Sequence, residues 1–367
     1  MKKTILFLMM LLTATCYAQS DFDIAQSFMN KKGIELVPNK RSATRSTDIP
    51  YSIFNGSEGK GFCIVANGCV VGYDTENTID ENNMPCCLEK LLGSYTKKAK
   101  TRSCYTSDYT PDWWKPRNVT PIEPLITTQW GQTNPFNNIV KEKGICYVIA
   151  WCQLLHYFRV PQTYGEKPGY PITTFNHDLM IDKYDYGKYT EEQAYEVARF
   201  VDYYYHLENP DKYYGVNLNT IHGDKDNHYK DADYWLERHI PILTVGGHGD
   251  NGHCFLVDGR DSEGRYHVNL GWGGPSNGYY VISDSDEHDR IYNGNNAVEG
   301  YMDEAFWCFY TITPKLFTWE YTTDMHRITT NVGCNGVYNL QGIKMGNSLD
   351  GLPKGIYIQN GKKIIKN

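Results

Sequence analysis

A cysteine stands where a turn passes into a strongly apolar segment. Cys146 follows Gly144 and Ile145, and the residues from there to Phe158 are apolar over about three helical turns, which is typical of a buried helix. The unpaired N–H groups and the dipole of a first helical turn favour an anion, so a cysteine there has a lowered pKa. Cys146 is therefore a candidate nucleophile, with a plain buried cysteine as the alternative. Cys152 lies on another face of the same helix and is expected to be structural.

A predicted β-hairpin carries the second candidate group. Two segments with the alternation of strands, residues 252–258 and 265–270, flank a Gly-containing turn. A hairpin centred on Asp261 would place Asn269 opposite His253, on the same face of the sheet. A histidine that an asparagine holds in one tautomer is what a cysteine–histidine catalytic pair requires.

Other residues compete for these roles. His248 and His267 are the competing histidines, and a core histidine with satisfied ring nitrogens is the alternative for His253. An acyl-transfer site also needs a hydrogen-bond donor for the oxyanion. The side-chain amide of Gln132, upstream of Cys146, could supply it together with the N–H of Cys146 itself, although a surface glutamine is the simpler interpretation of that residue.

These residues and the motifs around them resemble the streptopain family of papain-like cysteine peptidases. The motifs are QWGQTNPFN at residues 129–137, GIC at 144–146 with Gln153 seven residues after the cysteine, GHCFLVDG at 252–259 and HVNLGWGG at 267–274. The first part of the chain is similar to the propeptide of that family, through YSIFN at residues 51–55 and GFCIV at 61–65.

The resemblance implies a cysteine-type peptidase, a hydrolase that acts on peptide bonds of protein or peptide substrates. Cys146 would be the nucleophile, and His253 the base and later the acid. Asn269 would orient His253, and Gln132 would donate to the oxyanion. The thiolate attacks a peptide carbonyl and water later frees the acyl-enzyme, so no metal and no cofactor are required.

Two departures from the family motivate another function. Leu270 stands where the family has a tryptophan that shields the histidine–asparagine bond, and bulky residues such as Tyr147 and Trp151 follow Cys146. The alternative is a catalytically silent papain-like module that binds peptides or a host surface. A different cysteine-dependent acyl transfer, such as transpeptidation, could use the same residues.

The elements that must position these residues indicate an α+β fold. A capping box at residues 190–193 opens a second helix, and the period changes to two from Ile242 onward. By the resemblance, this is a papain-like arrangement with a helical lobe and an antiparallel β lobe, preceded by an α+β propeptide unit. The predicted domains are a signal peptide over residues 1–18, a propeptide over 19–116, a papain-like catalytic domain over 117–313 and a C-terminal β module over 314–367.

Composition and the N-terminal segment restrict the class further. The net charge of −7 argues against nucleic acid as a partner. Two lysines, an apolar run and a small-residue site ending at Ala18 predict a secretory signal peptide, with lipidation at Cys16 as the alternative. No other stretch is apolar enough to span a membrane, so a secreted or cell-surface protein is expected. The eleven cysteines show no paired C-x-x-C spacing, which makes a zinc site improbable and leaves disulfides open.

The two flanking units have separate expected roles. The propeptide would act as an intramolecular inhibitor, removed by cleavage in the basic, proline-containing segment 97–117. The tail, through residues 337–342 and 355–358, resembles a short β module found at the end of proteins secreted by Bacteroidetes. That resemblance implies a role in secretion or surface attachment and not in catalysis.

Overall fold

A computed structural model describes most of the chain. The described residues are 20–38, 51–85, 88–89, 91–92, 95, 116–160, 163–164, 173–206, 216–221, 228–248, 251–282, 306–314, 317–320, 327–330, 336–338, 344–353, 355–359 and 362–366. The predicted signal peptide at 1–18 and all but the last two residues of the predicted cleavage segment 97–117 lie outside them. Within the described part of the chain, no helix is long and apolar enough to cross a membrane.

The regular elements are short helices and mostly short strands. The helices are α1 (Asp21–Asn30), α2 (Cys146–Tyr157), α3 (Glu191–His206) and α4 (His228–Leu236). The strands are β1 (Tyr51–Asn55), β2 (Phe62–Ala66), β3 (Cys69–Asp74), β4 (Thr163–Tyr164), β5 (Thr173–Thr174), β6 (Val216–Ile221), β7 (Ile242–His248), β8 (Asn251–Arg260), β9 (Tyr266–Asn269), β10 (Gly278–Tyr280), β11 (Phe306–Pro314), β12 (Phe317–Glu320), β13 (Arg327–Thr330), β14 (Val337–Tyr338), β15 (Lys344–Gly346), β16 (Gly355–Gln359) and β17 (Lys362–Lys366).

The first of two compact units comprises Met1–Ile79 and Leu92–Lys115. Its strands β1, β2 and β3 pair in an antiparallel sheet, and α1 packs on this sheet through buried residues such as Met29. A capping box starts α1, because the Ser20 hydroxyl accepts from the Asp23 N–H while the Asp23 carboxylate accepts from the Ser20 N–H. Residues 53–55, 61–65 and 70–73 are strand-like in the sequence, so the three strands are predicted, and α1 is an additional element.

The second unit comprises Asp80–Leu91 and Pro116–Asn367 and contains the candidate catalytic residues. Its main antiparallel sheet has the strand order β10–β9–β8–β7–β11–β6. The apolar helix α2 packs on β8 and β7, and α3 packs on α2, which creates one buried cluster between helices and sheet. The capping box at the start of α3 is confirmed, since Thr190 and Gln193 exchange side-chain-to-backbone hydrogen bonds. The helical half followed by a β half is the predicted α+β arrangement.

The predicted register of the hairpin that carries His253 and Asn269 is wrong by three residues at Asn269. Asn269 pairs with Leu256 and not with His253, and a bulge between Val257 and Gly259 interrupts the ladder of β8 and β9. The Asp261 carboxylate accepts from two backbone N–H groups further along the chain, which places the turn after Asp261 and not around it. Because residues three apart on a strand face opposite sides, Asn269 lies on the face of Leu256 and not on that of His253.

The C-terminal strands form small separate sheets. Four of them pair in the order β15–β14–β16–β17, and β12 pairs with β13. The sequence predicts short strands at residues 337–342, 355–358 and 361–365, which β14, β16 and β17 overlap, and β15 is additional. The role of this tail in export or attachment stays a prediction.

Candidate active site

Helix α2 begins at the candidate nucleophile. The N-cap residue Ile145 makes no side-chain capping hydrogen bond, so no capping side chain occupies the N–H groups of the first turn. Gly144 has a φ of 69°, a left-handed conformation that turns the chain into the helix and that glycine adopts without strain. The sequence expectation that Cys146 starts a buried helix is therefore confirmed, and its side chain is half-buried.

The Cys146 sulfur is surrounded by donors. The thiol of Cys254 hydrogen-bonds to it, as does the backbone N–H of the same residue, and His253 contributes a hydrogen bond and a favourable charge interaction. These contacts lower the pKa of Cys146 from 9.0 to about 4, although burial acts in the opposite direction. Cys146 is therefore a thiolate at neutral pH, as a nucleophilic cysteine requires.

One ring nitrogen of His253 is fixed by the backbone. His253 is buried, and its Nε2 lies 2.7 Å from the carbonyl oxygen of Leu270. A carbonyl oxygen can only accept, so Nε2 carries the hydrogen and Nδ1 remains to exchange a proton with Cys146. The indole of Trp272 meets the His253 ring edge to face, at 5.8 Å between centroids. Trp272 thus gives His253 an aromatic contact that the leucine side chain at position 270 cannot provide.

The peptide that carries this carbonyl is held on both sides. The Leu270 N–H donates to Asn277 Oδ1 at 2.8 Å, and the Gly271 N–H donates to Asn269 Oδ1 at 3.1 Å. Asn269 and Asn277 are both buried. The orientation of the Leu270 carbonyl, and with it that of His253, therefore depends on these two asparagine side chains. Sequence reasoning missed Asn277, whose only signal is its position in the turn before β10.

The Asn269 side chain differs from its expected geometry. Its Nδ2 donates to the Thr128 carbonyl at 2.7 Å and lies 3.4 Å from Gln153 Oε1, and its Oδ1 accepts from Gly271. The hydrogen bond from the ring of His253 goes to Leu270 instead. Asn269 thus contributes to His253 through the backbone that follows it and not through the expected side-chain contact.

Gln153 ties the upstream motif to helix α2. It is fully buried, and its Oε1 accepts from the Thr128 hydroxyl at 2.9 Å and from the Trp130 N–H at 3.2 Å. Residues seven apart on a helix lie about two turns apart on one face, so Gln153 shares the face of Cys146. The sequence predicts a buried Gln153 satisfied by backbone, whereas two of its three described partners are the side chains of Thr128 and Asn269, and only Trp130 contributes a backbone group.

Gln132 presents an unused donor. Its Nε2 is buried and has no hydrogen-bond partner among the described residues. The segment before it is held rigidly, because the Gly273 N–H donates to the Trp130 carbonyl at 3.1 Å. A Cβ on Gly131 would lie 3.3 Å from the Gly273 nitrogen, so glycine permits this close approach. A buried N–H without a partner costs roughly 1–3 kcal/mol, which is compatible with a donor kept for a ligand.

The competing residues have other roles. His267 Nδ1 lies 2.6 Å from the buried Asp258 carboxylate, so this histidine belongs to a structural pair. Cys152 is fully buried, and burial raises its pKa well above the ordinary value. The side chain of His248 lies outside the description. Nowhere in the described ranges do three or more His, Cys, Asp or Glu side chains gather as a metal site.

Comparisons with known proteins find similarity to cysteine peptidases. Residues 217–280 match the Peptidase C10 family, and this segment includes His253 and Asn269 but not Cys146. The chain is 22% identical over 297 residues to the thiol protease/hemagglutinin PrtT of Porphyromonas gingivalis, covering 64% of this chain and 34% of that protein. It is 35% identical over 65 residues to streptopain of Streptococcus pyogenes, covering 18% of this chain and 16% of streptopain. The chain thus spans 34% or less of these curated relatives.

A solved structure has a similar fold. A fragment of prointerpain A from Prevotella intermedia superposes with a TM-score of 0.50 and 18% sequence identity, covering 77% of this chain and 98% of that one. The papain-like α+β fold class is confirmed by this similarity. The resemblance to streptopain-type cysteine peptidases is confirmed by the sequence matches.

Proposed function

We propose that this streptopain-like chain is a cysteine endopeptidase, made as a zymogen and exported to the medium or cell surface. The observation that supports it most is the environment of Cys146, whose pKa is lowered to about 4 by Cys254 and His253 at the start of α2. A lone buried cysteine lacks such partners. The fixed Nε2 hydrogen bond of His253 adds the second requirement, a base held in one tautomer.

The residues fit a two-step acyl transfer. The Cys146 thiolate adds to the peptide carbonyl, and the oxyanion would accept from Gln132 Nε2 and from the Cys146 N–H. His253 then donates its Nδ1 proton to the leaving amine as the C–N bond breaks, which yields a thioester. In the second step His253 Nδ1 takes a proton from water, the hydroxide adds to the thioester, and the thiolate leaves with the carboxylic acid product free.

The zymogen part of the proposal concerns the first unit. Similarity to a prointerpain fragment over 77% of this chain supports a propeptide that acts as an intramolecular inhibitor. Near the start of the second unit, Arg117 is bound to other residues of that unit. This end of the chain would therefore stay in place when cleavage releases the first unit. Arg117 Nη1 lies 2.5 Å from the Asp233 carboxylate, and its Nη2 donates to the Tyr266 hydroxyl at 3.1 Å.

The alternative is a silent papain-like binding module. It was motivated by Leu270 and by the bulky residues after Cys146. Trp151, however, is buried and stacks on Tyr204 of α3, and Tyr147 meets the Trp151 ring edge to face. Trp151 therefore packs between α2 and α3, Tyr147 lies beside it with 38% of its surface exposed, and Leu270 acts through its backbone. Both observations favour the enzyme over the silent module.

The decisive test compares four forms of the exported protein on a casein-like substrate and with an electrophilic thiol probe. Cys146→Ala should abolish hydrolysis and labelling, and His253→Ala should slow hydrolysis by about 10²–10⁴-fold. Cys152→Ala, the matched control on the same helix, should label like the parent. Hydrolysis by Cys146→Ala at the parent rate would leave the binding module as the better proposal. Amide products formed with an added amine, at the expense of hydrolysis, would instead indicate a transpeptidase.

A further inference from the structure

A second thiol lies at the reaction centre. Cys254 directly follows His253 on β8, and its thiol and backbone N–H both hydrogen-bond to the Cys146 sulfur. The packing brings both residues to the same buried cluster. Cys254 shares a strand face with Leu256, both belong to the buried cluster beneath α2, and Cys146 packs against that cluster. The mechanism above uses Cys254 only as a hydrogen-bond donor and leaves its thiol chemistry unused.

The two thiols differ in access to solvent. Cys146 is half-buried and can meet a small oxidant, whereas Cys254 is only 7% exposed. Strand β9 ends at Asn269, opposite Leu256, so Cys254 lies beyond the last β9 pairing, on the strand against which α2 packs. Neither cysteine forms a disulfide in the structure. An oxidant would therefore react first at Cys146, with a reduced thiol already in contact.

We propose that Cys254 is a resolving cysteine for Cys146, so that a hydroperoxide converts the two into a reversible disulfide that switches the enzyme off. The proposal rests on the proposed function, in which Cys146 is the nucleophile. A disulfide needs two sulfurs that can approach to bonding distance without large backbone movement. Cys146 packs against the buried cluster that contains Cys254, and the two side chains hydrogen-bond, so the pair meets this requirement.

The chemistry balances in two steps. The Cys146 thiolate attacks the terminal oxygen of the hydroperoxide, and the O–O bond breaks. The sulfur becomes a sulfenic acid, while the departing alkoxide or hydroxide takes the Nδ1 proton of His253 and leaves as an alcohol or water. The Cys254 sulfur then attacks the Cys146 sulfur, the S–O bond breaks, and water leaves with the thiol proton of Cys254. Overall, two thiols and one hydroperoxide give one disulfide, one alcohol or water from the peroxide, and one water. An external thiol restores both cysteines by exchange.

Without a resolving thiol the outcome differs. A sulfenic acid that finds no partner is oxidised further to a sulfinic acid, which thiols do not reduce. Cys152 provides a matched control, because it lies on α2 with Cys146 but is completely buried on another face. We therefore expect Cys254, which contacts Cys146, to protect it from further oxidation. The total number of cysteines in the chain should not matter.

The test treats the full chain with hydrogen peroxide until thiol-probe labelling of Cys146 is lost, and then adds dithiothreitol. In the parent, mass spectrometry of unreduced digests should find the peptides of Cys146 and Cys254 linked, and labelling should return almost completely. Cys152→Ala should behave like the parent. Cys254→Ala and Cys254→Ser, compared at the same extent of labelling loss, should recover little and should carry a sulfinic acid at Cys146. The serine variant keeps a small polar side chain in case alanine destabilises the site.

Several results would overturn the proposal. They are the absence of the linked peptide in the parent, recovery of the Cys254 variants to the parent level, or survival of Cys146 unmodified in peroxide. Casein hydrolysis is measured on the same untreated samples. Hydrolysis without a linked peptide would refute the redox role alone, and a linked peptide without hydrolysis would refute the peptidase and leave the thiol pair.

Discussion

The Nε2 of His253 donates to the backbone carbonyl of Leu270 across 2.7 Å, in the place where a side chain of Asn269 was expected. Because a carbonyl oxygen belongs to every residue type, the histidine tautomer does not depend on which side chain stands at position 270. This explains how a leucine can replace the shielding tryptophan while Trp272 keeps an aromatic ring against the imidazole at 5.8 Å.

We call the hydrogen bonds from the Leu270 and Gly271 N–H groups to Asn277 and Asn269 the Leu270 clamp. This clamp predicts a role for Asn277. Asn277→Ala removes the acceptor of the Leu270 N–H and should lower kcat by roughly 10-fold or more with little change in KM, a smaller loss than removal of His253 itself. Asn277→Asp keeps the acceptor oxygen and should restore most of kcat. Leu270→Met, which keeps the backbone and the volume, should retain the parent kcat and pH profile. Equal kcat in Asn277→Ala and parent, at equal folded fraction, would contradict the clamp.

Gln132 should act in the transition state and not in the fold. Its Nε2 has no partner among the described residues, so Gln132→Ala removes no hydrogen bond that the structure describes. Loss of one oxyanion donor lowers kcat by about 10²–10³-fold. We expect that loss with an unchanged or slightly raised melting temperature. Gln132→Glu, nearly isosteric but without the N–H donors, should be equally impaired. A drop in melting temperature that accounts for the lost activity would make Gln132 a structural residue.

The pH dependence of alkylation tests the environment of Cys146. Its pKa of about 4 lies below 9.0, so the rate of reaction with iodoacetamide should rise through pH 4 and stay high at neutral pH. The folded state then binds fewer protons than the unfolded chain between those values. This group therefore adds stability that is complete above pH 9.0 and is lost as the pH falls through about 4.

Cys254 is the largest cause of that lowered pKa. Cys254→Ala should therefore move the alkylation midpoint upward, whereas Cys152→Ala, which removes no contact with the Cys146 sulfur, should leave it in place. An unchanged midpoint in Cys254→Ala would show that His253 and the start of α2 are sufficient to lower the pKa of Cys146.

The anchoring of Arg117 predicts where maturation stops. The Arg117 N–H donates to the Glu263 carbonyl at 2.8 Å and the Val119 N–H to the Ser262 carbonyl at 3.2 Å, so the chain is held against the hairpin turn from this point on. Proteases require a segment that can leave its partners. N-terminal sequencing of the active form should find a start at or before Arg117, within residues 97–117.

Two variants of Arg117 separate the effect of its contacts on the maturation site from the effect of the linker sequence. Arg117→Ala should permit additional starts beyond Val119, while Arg117→Lys should preserve the parent start more closely, since it keeps a cation near Asp233. An active parent that still carries residues 51–55 would contradict removal of the first unit.

Local patterns in the sequence determined the elements and the residue types of the site. The helix that begins at Cys146, the capping box at Thr190 and the strands around His253 follow from periodicity and caps, which act over a few residues and are visible in one sequence. The family resemblance rested on the same local motifs. The catalytic roles of Cys146, His253, Asn269 and Gln132 stay predictions until the variants are measured.

Only the tertiary structure decided how those residues meet. The bulge after Val257 and the turn built on Asp261 shifted Asn269 to Leu256, and a register shift of this kind has no simple sequence period. The hydrogen-bond partner of His253 is a backbone carbonyl. Every residue type has one, so the sequence alone does not identify this partner. The contact of Cys254 with Cys146 exists because α2 packs on β8, and packing between segments distant in the chain is a property of the folded core and not of either segment alone.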